Sequence, residues 1–147
     1  MRHALGLEYD GRAFCGFQAQ PDGCSVQDAL ERALAAIADA PVRVIGAGRT
    51  DAGVHATSQV VHFDATVERP LTAWVRGVNA ALPPAASVLW CVPVPDDFHA
   101  RFAATARHYT YVLLNRPERP GLLDGRVGWH FAPLDVDAMR DGARLLM

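Results

Sequence analysis

The chain is expected to take an α+β fold: a ferredoxin-like, split βαβ N-terminal domain with an antiparallel sheet, plus the start of a second α/β domain. Three observations lead there. Strand-type alternation and helical periodicity follow one another in the order β-α-β-β-α-β over the first 94 residues. A well-signalled helix start follows a loop rich in glycine and aromatics. A glycine-bearing loop, "GAGRTDAG", separates two strand-like runs.

Taken in order, "HALGLEYD" alternates as a first strand, and "GRAFCGFQAQPDGC" reads as a loop. Ser25 then opens "SVQDALERALAAIADA", where Ser25 and Asp28 have capping-box spacing. Val26, Ala29, Leu30, Ala33, Leu34 and Ile37 recur on one helical face, and Pro41 closes the segment. "VRVIGA" and "SQVVHFDA" are strands on either side of the glycine-bearing loop. Pro70 suits the first turn of a second helix, "PLTAWVRGVNAAL", with Leu71, Trp74, Val75 and Val78 on one face. "ASVLWCVPV" is the fourth strand. Beyond Pro95 the pattern predicts a polar loop, a strand from about Arg107 to Leu114, a loop, and a further strand in "VGWHFAP". Asp135 or Asp137 is placed to cap a last helix that turns Met139, Ala143, Leu146 and Met147 toward a core.

Composition is that of a globular protein, half hydrophobic and one-fifth charged. No apolar run is long enough to span a bilayer. "MRHALGLEYDG" lacks the apolar centre of a signal peptide, so a cytoplasmic location is the expectation. Cys15, Cys24 and Cys91 are odd in number and form no CxxC pair, which favours reduced thiols over a disulfide framework or zinc site. The formal charge of −2 does not advertise a nucleic-acid binder. Its distribution is uneven, however: from His99 to Arg126, five arginines face Glu118 and Asp124. Such a patch suits either a solvated surface or phosphate contact.

The loop itself admits several readings. "TDAGV" offers Asp and Gly where a turn between strands needs them. A phosphate-binding glycine loop does not match, because the stretch is not GxGxxG and opens no helix. A metal site built from Asp51, His55 and His62 has no familiar ligand spacing. In extended backbone Arg49 and Asp51 would share a face, and a neighbouring guanidinium favours a charged carboxylate. That arrangement suits a nucleophile or a charge stabiliser. Gly46, Gly48 and Gly53 are expected to leave room for a bulky substrate.

"GRTDAGVHA", extended by "QVVHFD", closely resembles the catalytic motif of the tRNA pseudouridine synthase A family. "LGLEYDG", "GFQ", "SVQDALERAL", "GVNAALP", "VPDDFHARFAATARHYTY" and "PLDVDAM" resemble further segments of that family, in family order, across nearly the whole chain. The resemblance implies isomerisation of uridine to pseudouridine at positions 38, 39 and 40 of the tRNA anticodon arm, without cofactor or metal. It implies that Asp51 is the catalytic carboxylate and nucleophile, that Arg49 helps flip the target nucleotide, and that Tyr109 stacks on its base. His99, Arg101 and Arg107 become candidate tRNA contacts; His55 and His62 are read as orienting or packing groups, and Trp74, Trp90 and Trp129 as core or interface aromatics. Residues 1–97 would be the catalytic half carrying the RTDAG loop, and 98–147 an incomplete second domain. Family members are longer, usually homodimeric, and complete the site with their second half, so the isolated 147 residues are expected to be poorly active. The alternative is a catalytically incompetent RNA-binding fragment of such an enzyme, although no RNP1-like signature supports an ordinary RNA-recognition module.

Overall fold

In the computed structural model, which describes residues 1–146, the chain divides into two compact units, residues 1–107 and the segment from His108 onward. The first unit is α+β. Its strands β1 (Arg2–Tyr9), β2 (Val44–Gly46), β3 (Ala56–Asp64) and β4 (Ala86–Val94) form one sheet in the order β2-β3-β1-β4, and every neighbouring pair is antiparallel. Leu5 pairs with Val61 on one side and Cys91 on the other, so one face of the sheet is apolar along the register. Leu5, Leu7, Val61, Phe63 and Val88 meet Leu30, Leu34, Trp74 and Val78 in the core.

Helix α1 (Val26–Ala38) begins as its sequence dictates. The Ser25 side chain accepts from the Asp28 N–H, and the Asp28 carboxylate accepts from the Ser25 N–H. Val26, Ala29, Leu30, Ala33 and Leu34 are buried along one face, as helical spacing requires. The second helical segment departs from the simple pattern. A π-helical turn, Ala73–Gly77, precedes the short helix α2 (Val78–Ala81). The wider turn shifts the phase of the face. Trp74 and Val78 are fully buried, whereas Leu71, expected beside them, is exposed.

The second unit pairs β5 (Leu113–Asn115) with β6 (Gly128–His130) in parallel and ends in α3 (Val136–Arg144). Asp135 caps α3, its carboxylate accepting from the Ala138 N–H. Two expectations need correction here. The strand predicted from Arg107 begins only at Leu113, because a strand forms where a neighbour completes its ladder, and β6 does so for three residues only. Among the described residues the face of α3 expected to be buried is exposed, Met139, Ala143 and Leu146 included, since a two-stranded sheet offers little apolar surface; Met147 lies outside the described residues.

A third correction concerns the cysteines. Cys15 and Cys24 are joined by a disulfide with their Cα atoms 5.6 Å apart. A backbone bond from the Cys15 N–H to the Cys24 carbonyl brings the two ends of that loop together. A count of cysteines does not show that two of them, nine residues apart, are brought together by the fold of the loop. Cys91 is a free, buried thiol whose pKa is pushed up to about 11 by burial, in line with an inert core cysteine. Among the described residues, no helix is long and apolar enough to cross a membrane.

Candidate active site

The RTDAG loop, residues 47–55, joins β2 to β3, so it is a connection between antiparallel strands as the turn reading expected. Its tightest point is at Asp51–Val54, where the Val54 N–H donates to the Asp51 carbonyl at 3.2 Å. Gly53 has a φ of +83°, the left-handed position that a turn of this kind reserves for glycine. Arg49 and Asp51 are both exposed on this loop. Among the described residues they form no ion pair with each other. Only extended backbone places residues i and i+2 on one face, and the chain is already turning at Asp51.

The exposed side chains stand on a backbone fixed from several directions. The Phe17 N–H donates to the Thr50 carbonyl at 2.9 Å. The hydroxyls of Tyr9 and Thr50 are hydrogen-bonded at 2.8 Å, with the Tyr9 side chain buried at the end of β1. The buried Gln59 amide donates to the Gly48 carbonyl at 2.9 Å. The Gly53 N–H donates to the Gly11 carbonyl at 3.2 Å, and the Gly11 N–H donates to His55 Nδ1 at 3.3 Å. Arg107 reaches the opposite end of the loop, its Nε and Nη2 donating to the Ala47 carbonyl at 2.9 and 2.6 Å. A carboxylate exposed on so many fixed points has a defined position without being desolvated, which suits a group that must meet a large polar substrate.

The glycines of the loop divide in role. A Cβ on Gly46 would lie 2.5 Å from the Phe17 ring, so that glycine makes room for a core aromatic and not for a substrate. Gly53, by contrast, has nothing within 4 Å of a would-be Cβ, and its side of the loop is open.

Asp10, next to Gly11, accepts hydrogen bonds from the backbone N–H and Nε of Arg12 at 3.1 and 2.9 Å. The Arg12 guanidinium holds the Asp10 carboxyl well below the usual carboxylate range, ahead of a smaller contribution from His55. The His55 Nδ1 lies 3.2 Å from this carboxylate. His55 thus links the loop to the residues that follow β1.

His62 is buried on β3, and its Nδ1 accepts the Ala100 N–H at 3.1 Å. That acceptor role, burial, and the nearby charges of Arg2 and His99 all favour the neutral ring, and its pKa is lowered, chiefly by burial. His3 is lowered as well, again chiefly by burial. Below pH ~6.5 the unfolded chain takes up protons that the folded chain resists, so stability is expected to fall as pH drops through that window. A urea midpoint lower at pH 5.5 than at pH 7.5 checks this. His62→Asn, which keeps an acceptor, is expected to reduce the difference and leave the part due to His3.

The remaining residues singled out in the sequence lie as follows. The half-buried His99 ring stacks on the exposed Phe102 ring at 4.3 Å between centroids, and Arg101 lies 5.9 Å from the Phe102 ring. Trp74 is in the core, and Trp90 is partly exposed with its indole over Gly6. In the second unit Tyr109 is exposed in the irregular segment before β5, while Tyr111 lies against Gly128 and Trp129 donates to the Arg116 carbonyl. Among the described residues no three His, Cys, Asp or Glu side chains are gathered as a metal ion would need. Sequence reasoning missed Tyr9, Phe17 and Gln59 as supports of the loop, although all three stand in the segments "LGLEYDG", "GFQ" and "QVVHFD".

Residues 7–103 match the family model described as tRNA pseudouridine synthase. Among curated proteins the chain is 60% identical over 147 residues to the tRNA pseudouridine synthase A of Dechloromonas aromatica (strain RCB), covering all of this chain and 56% of that protein. The synthase A of Thiobacillus denitrificans (strain ATCC 25259 / T1) gives the same 60% identity and the same coverage. That of Chromobacterium violaceum is 60% identical over 148 residues, covering all of this chain and 56% of the relative. The chain thus spans little more than half the length of these curated relatives. With a match over most of its first unit and this level of identity from end to end, the chain belongs to the tRNA pseudouridine synthase family.

Proposed function

We propose that these residues form the part of a tRNA pseudouridine synthase that carries its reactive carboxylate, acting on uridines 38, 39 and 40 in the anticodon stem-loop. The observation that carries the reading is Asp51: exposed, on a loop whose neighbouring backbone is tied by Tyr9, Phe17, Gly11, Gln59 and Arg107. The sheet order β2-β3-β1-β4 supports reading the first unit as the ferredoxin-like, split βαβ fold, in which β1 and β2 flank β3.

In this reading the bond from N1 of the base to C1′ of the ribose breaks, and C5 joins C1′ in its place. The C5 proton leaves to solvent and N1 takes one up, so the change is an isomerisation. Asp51 is the nucleophile that carries the reacting centre between the two bonds, and a close carboxylate also stabilises positive charge developing on the ribose. The target nucleotide must leave its stack first. Arg49, exposed two residues before Asp51, is the group we assign to holding it out, and Tyr109 is the aromatic we assign to stacking on the flipped base. His99 and Arg101 are assigned to tRNA contact. The active form is taken to be a cytoplasmic homodimer at the length of its relatives.

The test is positional. A protein of full family length that carries these 147 residues is given unmodified tRNA transcripts with uridine at 38, 39 or 40, or at none of them. Pseudouridine is expected only in the first three. Binding without any pseudouridine would favour the RNA-binding alternative, and indifference to tRNA would dismiss both.

A further inference from the structure

We infer that Arg107 is a positioning residue for Asp51, fixing the base of the reactive loop, and that phosphate binding is not its function. The inference rests on the reading of Asp51 given above.

Its geometry is specific. Arg107 applies two donors, Nε and Nη2, to a single acceptor, the Ala47 carbonyl, at 2.9 and 2.6 Å. Nη2 also reaches the Arg101 carbonyl at 3.1 Å. One planar guanidinium thus closes the 101–107 segment on itself and ties it to the first residue of the loop. Only the planar fork of arginine can do this, since a lysine ammonium is a single point of donors.

Ala47 is also held from its other end, its N–H donating to the Val60 carbonyl at 2.8 Å. The next carbonyl, that of Gly48, is taken by Gln59. The peptide units leading into Arg49 and Asp51 are therefore clamped between β3 and Arg107. Beyond Asp51 the loop is caught again at Gly53 and Val54. Remove Arg107, and the Ala47 carbonyl keeps only solvent on that side, while the loop remains attached through β3.

The guanidinium is exposed, so water can replace its bonds and little global stability depends on it. Its effect lies in placement. Displacing a reacting group by about 1 Å can lower a rate by ~100-fold.

The experiment compares Arg107→Ala and Arg107→Lys with the parent and with Asp51→Asn, all at full family length, using single-turnover kinetics on tRNA and amide hydrogen exchange. Both Arg107 variants are expected to lower kcat by about 10- to 100-fold with KM within about 3-fold of the parent. Exchange at the Ala47 amide, bonded to the Val60 carbonyl beside the Arg107 clamp, is expected to quicken in both, and to stay unchanged in Asp51→Asn. If Arg107 were a phosphate contact, Arg107→Ala would raise KM, leave kcat alone and reduce the salt dependence of binding by about one counterion, while Arg107→Lys would retain most of the affinity. That pattern overturns the inference, as does unchanged exchange in both variants. Should the parent prove inactive on tRNA, the functional reading fails, and the exchange measurement still decides whether Arg107 holds the loop.

Discussion

Asp51→Asn is expected to lower pseudouridine formation by at least ~1,000-fold while the affinity for tRNA stays within a few-fold of the parent. The reasoning is local. Asp51 is exposed, and its side chain supports none of the contacts that fix the loop; those run through backbone groups at residues 47, 48, 50, 53 and 54, the Thr50 hydroxyl and the ring of His55. Asn preserves shape and the turn's backbone bond from Val54, yet it is neither a nucleophile nor a negative charge. Unfolding should therefore be almost unchanged, with a urea midpoint close to that of the parent. Binding should survive because phosphate contacts supply most of the affinity for RNA and a carboxylate contributes none of them. A variant that lost binding in step with activity would show that Asp51 acts in recognition and not in chemistry.

Phe17→Ala should act in the opposite way, through the fold. The ring is buried beneath the loop, occupies the space that Gly46 leaves open, and lies 6.4 Å from the Tyr9 ring, centroid to centroid. Truncating a buried phenylalanine costs about 3–5 kcal/mol, a large part of the ~5–15 kcal/mol that holds a domain together. The expected signature is a lower urea midpoint with an unchanged slope. Activity should drop as well: alanine keeps the N–H that holds the Thr50 carbonyl, but without the ring the Tyr9 side chain and the backbone at residue 17 lose the packing that fixes where that N–H sits. A loss below about 1 kcal/mol would mean that the site collapses around the cavity and that Phe17 is not a foundation of the loop.

Much of the first unit was legible because its signals are local. Ser25 and Asp28 sit three residues apart and do what that spacing allows, and "ASVLWCVPV" forms β4 with the expected ends. The strand–loop–strand reading of residues 42–65 was available from alternation alone. What escaped depends on contacts that only the folded backbone brings together. The Cys15–Cys24 closure, the Tyr9–Thr50 hydroxyl pair and the bond from Gln59 to Gly48 are set by the fold, and nothing in their immediate sequence declares them. The run "RHYTYVLL" shows the reverse case. Its aromatic and β-branched residues favour a strand, but among the described residues of that run strand pairing with β6 is confined to Leu113 and Leu114, with the Val112 carbonyl accepting from the Gly128 N–H at their edge. In the second helical segment the π-helical turn put Leu71 on the wrong side of a pattern that assumed an unbroken 3.6-residue period. The role expected of Asp51 rests on a motif, while the structure adds what the motif is attached to.

The most direct test of the account is tritium release from tRNA carrying 5-tritiated uridine, with the parent sequence and Asp51→Asn compared at full family length. The account predicts release by the parent up to the number of uridines at positions 38, 39 and 40, and none above background from Asp51→Asn. Equal release by both proteins would contradict the assignment of Asp51, and no release by either, with tRNA bound, would contradict the proposed chemistry itself.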